Sequence, residues 1–216
     1  MGSMSRMYNS RNFHKYLKNG DESRALEEYL ENADKIDVNF FDHFLEESAL
    51  MLAIKHRFED IKTILLQDRR IWLSFTNSDG ESALSYAAAH GDHRTLYFLI
   101  NSGVNFNSVN NEGNSIIHLA VMSANVNVLQ VIRFLDIDID WNLRNMDGKT
   151  PFFISIGNFD TESLRFLAGI PEVDVNIPDF NGRTPGDYLN EVEYDSERFD
   201  ILLKLGDRFK WTRKFY

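Results

Sequence analysis

Read for its apolar and polar positions, the chain breaks into short apolar runs that keep returning. Four of them open with a hydroxyl residue: Ser48-Ala-Leu-Met-Leu-Ala53, Ser82-Ala-Leu-Ser-Tyr-Ala87, Ser115-Ile-Ile-His-Leu-Ala120 and Thr150-Pro-Phe-Phe-Ile-Ser155. A side-chain oxygen at that place can accept a free N–H of a first helical turn. Proline directly after it is harmless, because that N–H has no helical partner. The small residue closing each run (Ala53, Ala87, Ala120, Ser155) marks where two helices must come close. A second apolar helix is predicted after each run, over 60–66, 94–100, 126–132 and 161–167. Three of these lead into loops that end in asparagine: Val104-Asn-Phe-Asn107, Ile139-Asp-Trp-Asn142 and Val173-Asp-Val-Asn176.

The turns ahead of the runs repeat as well. Glycines stand at 80, 113, 148 and 182, at intervals of 33, 35 and 34 residues. A period in this range is the signature of a repeat array, in which each unit buries its apolar face against its neighbours. The period also explains the tripeptide Gly148-Lys149-Thr150, which resembles the end of a phosphate-binding loop. Such a loop needs a glycine five positions earlier. Leu143 stands there, and the preceding Asp136-Ile-Asp-Ile-Asp140 is acidic. Gly-Lys-Thr is therefore a repeat turn, which leaves Lys149 at its tip.

With these elements in place, the chain resembles the ankyrin-repeat family. That pattern has a turn with Asp-x-x-Gly-x-Thr-Pro-Leu-His, a first helix with Ala-Ala, a glycine, a second helix with paired Leu, and a loop ending Asp-Val-Asn. The resemblance implies an all-α solenoid of stacked helix-turn-helix units, with repeats at 43–76, 77–110, 111–144 and 145–178. Caps are expected at 12–42 and 179–205, so the resemblance covers residues 12–205 of 216. The chain departs from the pattern at several points. The glycine between the two helices survives only as Gly91, with Arg57, Ala124 and Phe159 at the equivalent places. Those turns either carry a left-handed backbone penalty or take another geometry. Glu46 replaces the first turn glycine, and Gly186 stands where the pattern has Leu. Loop asparagines of this kind (Asn107, Asn142, Asn176) resemble those that host oxygenases hydroxylate.

Composition narrows the picture further. There is no cysteine, so disulfides and thiolate chemistry are excluded and a reducing, cytoplasmic setting is expected. No apolar run approaches the ~18 residues that a membrane span needs. Net charge is −10, which argues against nucleic acid as a partner. Residues 1–11 are expected to form a flexible arm, with Met1-Gly-Ser-Met4 looking like a tag remnant. The C-terminal cap is acidic (Glu191, Glu193, Asp195, Glu197), whereas 206–216 is a basic, aromatic tail. That tail reads either as a docking handle for an acidic partner, RNA or a membrane surface, or as a cover for the exposed end of the stack.

No catalytic arrangement is legible. His14, His43, His56, His90, His93 and His118 show no metal-ligand spacing, no serine sits in a nucleophile elbow, and no cofactor is implied. His118 occupies the histidine position of the family pattern, which implies a brace between adjacent turns. The remaining expectation is a monomeric, non-catalytic module that binds a protein partner on its concave face and turn tips. Arrays that resemble this one act as adaptors, inhibitors or host-directed microbial effectors. The candidate partner-binding residues are Asp79, Glu81, His90, Asn111, Glu112, Asn114, Met122, Met146, Lys149, Asn158, Phe180 and Arg183. Trp72 and Trp141 are expected to be packed beneath the turn row, where a large ring buries much area.

Overall fold

The computed structural model describes residues 2–41, 46–158, 160–190 and 196–210. His43, Phe159, Glu191, Glu193, Asp195, Trp211, Phe215 and Tyr216 lie outside the described residues. The described residues form twelve α-helices and one short 3-10 turn. The helices come in pairs: α1 (Gly2–Lys18) and α2 (Glu22–Asn32), α3 (Ala49–Lys55) and α4 (Glu59–Gln67), α5 (Ala83–Ala89) and α6 (His93–Asn101). Then follow α7 (Ile116–Met122) and α8 (Val126–Phe134), α9 (Pro151–Gly157) and α10 (Thr161–Ala168), and α11 (Pro185–Leu189) and α12 (Ser196–Leu203).

The hydroxyl residues that open the apolar runs cap the first helices. Ser48, Ser82, Thr150 and Thr184 accept from the N–H groups of Met51, Ser85, Phe153 and Asp187. Each such cap stabilises its helix by about 1 kcal/mol. In α7 the bond runs the other way, because the Ser115 N–H donates to Nδ1 of His118 at 3.2 Å. Second helices use carboxylates and amides: Asp21, Asp92, Asn125 and Asp160 cap α2, α6, α8 and α10. Helix α4 differs, since Phe58 provides no side-chain cap.

Stacking is in two layers. First helices pack in the series α1, α3, α5, α7, α9, α11, and the second helices lie behind them. Ala53, Ala87 and Ala120 are fully buried between the layers, as is Ser155. One continuous core runs from Phe13 to Phe209. Helices α4 and α6 approach less closely than the other second-layer neighbours. At that seam α4 carries the buried Lys62, whose ammonium pairs with Asp92 and, at 2.8 Å, with Glu59. A long cationic side chain takes the room that a leucine would leave for closer approach.

Two sequence expectations change. The stretch expected to be a flexible arm is helical from Gly2 onward, and Ser10 Oγ accepts the Asp37 N–H at 2.8 Å. Trp141 is buried as expected, but Trp72 is 63% exposed. The loop carrying Trp72 is held through its backbone, with the Trp72 N–H donating to Asn39, so its ring is not needed beneath the turns. Of the two readings of the tail, the described part follows the second and packs on the end of the stack. Arg208 donates to the carbonyls of Ala168, Ile170 and Val173, and Phe209 packs edge-on against Phe152.

Candidate functional site

The turn tips form a connected row. Within each hairpin one side-chain oxygen accepts two backbone N–H groups: Asn77 from Asp79 and Glu81, Asn110 from Glu112 and Asn114, Asn145 from Asp147 and Lys149, Asp179 from Asn181 and Arg183. Neighbouring hairpins are tied by backbone bonds from Asn111 to Asp79, Met146 to Glu112 and Phe180 to Asp147, at 2.8, 2.9 and 3.2 Å. His118 adds the expected brace, with Nε2 at 3.1 Å from the Lys149 carbonyl. Because Nδ1 accepts from Ser115, Nε2 carries the proton. Burial pushes this ring down to about 4, against the hydrogen bond to Lys149, and keeps it neutral.

Twelve candidate residues can now be placed on this frame. Asp79, Asn111, Glu112, Met146 and Phe180 are exposed at the tips, and Met122 is exposed at the end of α7. Glu81, His90, Lys149 and Asn158 are half-buried along the groove. Asn158 Nδ2 donates to the Val121 carbonyl of the preceding repeat at 2.9 Å, so part of its capacity is structural. One candidate is corrected. Asn114 is buried, donating to Glu112 and accepting from Asn145, so it holds hairpins together and presents nothing to a partner. Arg183 is half-buried at the last tip and held by Asp179, with Nε and Nη2 at 3.0 and 2.8 Å from the same carboxylate oxygen.

What remains exposed has two characters. Towards the N-terminal repeats the row is acidic, with Asp79, Glu81 and Glu112 grouped together. The Glu81 carboxyl is raised by partial burial and by Asp79, Glu112 and Glu47, against a hydrogen bond from Asn110. Towards the C-terminal repeats it is apolar: Met122, Met146 and Phe180 are 51%, 68% and 64% exposed. Phe180 is held in place by the Arg144 guanidinium, 4.3 Å from its ring centroid. Lys149 lies beside this apolar group, 3.4 Å from Asp147.

Sequence reasoning missed a hub at the N-terminal end of the groove. The buried Glu47 carboxylate accepts from Tyr86 Oη at 2.7 Å and Lys55 Nζ at 2.9 Å, while its carbonyl lies 2.7 Å from His14 Nε2. Burial pushes the Glu47 carboxyl up, but the bonds from Tyr86 and Lys55 carry it below the ordinary range. The four residues share no spacing, and only the stacking of α1, α3 and α5 brings them together. Among the described residues no group of three or more His, Asp or Glu could hold a metal ion, and no helix is long and apolar enough to cross a membrane.

A family model for ankyrin repeats (3 copies) matches residues 13–110 and 50–140. The chain belongs to the ankyrin-repeat family. Such repeats indicate a protein-interaction module, and the family is typically non-catalytic. A similar protein is the target of rapamycin complex 2 subunit AVO2 of Saccharomyces cerevisiae, 27% identical over 132 residues. The match covers 58% of this chain and 29% of that relative, so the similarity spans less than a third of the yeast protein.

Proposed function

We infer that this array is a non-catalytic adaptor that binds a protein partner across its concave face and turn tips, acting as a monomer in the cytoplasm. The observation that carries the reading is the exposed apolar group Met122, Met146 and Phe180, held on hairpins that are bonded to each other. Exposed apolar side chains on a rigid frame lose little entropy on binding, and a few such anchors usually dominate an interface. Asp79, Glu81 and Glu112 would then set orientation and select the partner by charge. The likeness to a subunit of a larger complex supports an adaptor over a host-directed microbial effector. The tail reading is weaker, because Arg208 and Phe209 are built into the end of the stack.

The test is affinity capture from eukaryotic lysate with the full chain and with a Met146→Glu/Phe180→Glu variant whose melting is unchanged. A partner held by the first and lost by the second supports the reading. A partner held equally by both refutes the assignment to this row.

A further inference from the structure

Opposite the tips, the turns between first and second helices enclose an open recess of about 300 Å³. Arg57, His90, His93, Arg94 and Asn125 are among the residues that line it. We propose that this recess is an oxyanion site that takes a phosphate group, either free phosphate or the phosphate of a monoester.

The charges support an anion. Two carboxylates line the recess, Glu59 and Asp92, and both are taken up by the buried ammonium of Lys62. Arg57 and Arg94 are exposed, and neither makes a side-chain hydrogen bond or ion pair among the described residues. Two uncommitted guanidinium groups facing one recess stand out in a chain of net charge −10. Guanidinium forks match the oxygens of a phosphate or carboxylate in pairs, and two of them match a dianion better than a single negative charge.

The backbone at Arg57 agrees with this role. Arg57 sits at φ 59°, in the left-handed region, at the place where the next repeat has Gly91 at φ 71°. A side chain costs about 1–2 kcal/mol in that conformation. Stability alone would favour glycine there, as in the next repeat, although Ala124 takes the same conformation one repeat further on. Strained side chains of this kind gather at functional positions. Holding a cation at the mouth of the recess is a role that only the side chain can fill.

His90 supplies the readout. Partial burial lowers its pKa, Lys55 and Arg57 lower it further, Glu47 opposes them, and His56 adds to the positive field. Its ring also lies against Tyr86, at 5.8 Å between centroids. A dianion seated in the recess would offset that positive field and raise the His90 pKa.

The site stands whether or not the tip row binds a partner, and the experiment keeps the two apart. The His90 and His93 ring resonances of the full chain are followed while inorganic phosphate is added, against chloride at matched ionic strength. A phosphoserine tripeptide forms a second arm. The expected result is a saturable shift in phosphate with a rise in the His90 pKa, and neither in chloride. Arg57→Gly should weaken the response about threefold or more while raising the melting temperature, which separates lost binding from misfolding. Arg94→Gln should weaken it similarly. Tighter binding of the peptide would identify a phosphorylated side chain as the source, and equal binding would identify a free phosphate. Identical shifts in both salts, or full affinity in Arg57→Gly, would overturn the proposal.

Discussion

The two edges of the solenoid treat glycine differently. Along the tip edge Gly80, Gly113, Gly148 and Gly182 keep φ between 73° and 78°, and Glu46 replaces the first of the row at φ 53°. Along the inter-helix edge Gly20 and Gly91 remain, at φ 76° and 71°, while Arg57 and Ala124 occupy the left-handed region at φ 59° and 52°. Space accounts for the difference. A Cβ on Gly113 would come within 3.0 Å of the Met146 nitrogen, and one on Gly148 within 2.4 Å of the Phe180 nitrogen. At Gly113 and Gly148 the next hairpin's backbone fills the room a side chain would need. At the inter-helix edge the obstacle to Gly91 is the side chain of Asn125, which can move. A position that fails on both dihedral and space keeps its glycine, whereas one that fails on dihedral alone can change.

The largest effect that could break this comparison is at Gly148. Gly148→Ala should destabilise by about 3 kcal/mol or more, since backbone overlap adds to the left-handed penalty. Nothing lies within 4 Å of a Cβ on Gly182, so Gly182→Ala should cost only about 1 kcal/mol. Equal costs in urea unfolding would remove space from the explanation. On the other edge, Asp92→Ala should cost about 3 kcal/mol, because the buried Lys62 keeps only the exposed Glu59 as a partner and α6 loses its cap.

The brace along the tips has a pH signature. His118 titrates near 4 in the fold and near 6.5 when unfolded, so between these values the unfolded chain binds a proton that the fold refuses. Stability from this ring is complete above about pH 6.5 and falls as pH drops to about 4, by about 3 kcal/mol. The slope of stability against pH should flatten over that window in His118→Ala. The smallest effects are gains. Ala124→Gly and Arg57→Gly should each stabilise by about 0.5–1 kcal/mol, as relief of the left-handed penalty outweighs the added freedom of the unfolded chain. A loss in either would mean that these turns are not strained.

Much of the fold was legible because it is written repeatedly. The hydroxyl caps, the small residues at helix contacts and the turn glycines recur at one period, so weak local signals add. His118 was legible for the same reason. Trp72 and Asn114 were misread because equivalent places in the period need not share an environment: Trp141 is buried where Trp72 is exposed, and Asn114 turns inward to bond Asn145. The Glu47 hub and the Arg57–Arg94 recess were not legible at all, since they join residues from different units across seams that the period does not describe. One trace of the recess was visible, an arginine where the repeat has glycine.

The most direct test of the account places a photo-crosslinking amino acid at Phe180 on the tip row and, separately, at Phe134 on the exposed back of α8. If the tip row is the working surface, the captured partner is crosslinked from position 180 and not from 134. Crosslinking from 134 alone would contradict the account and move recognition to the second helices.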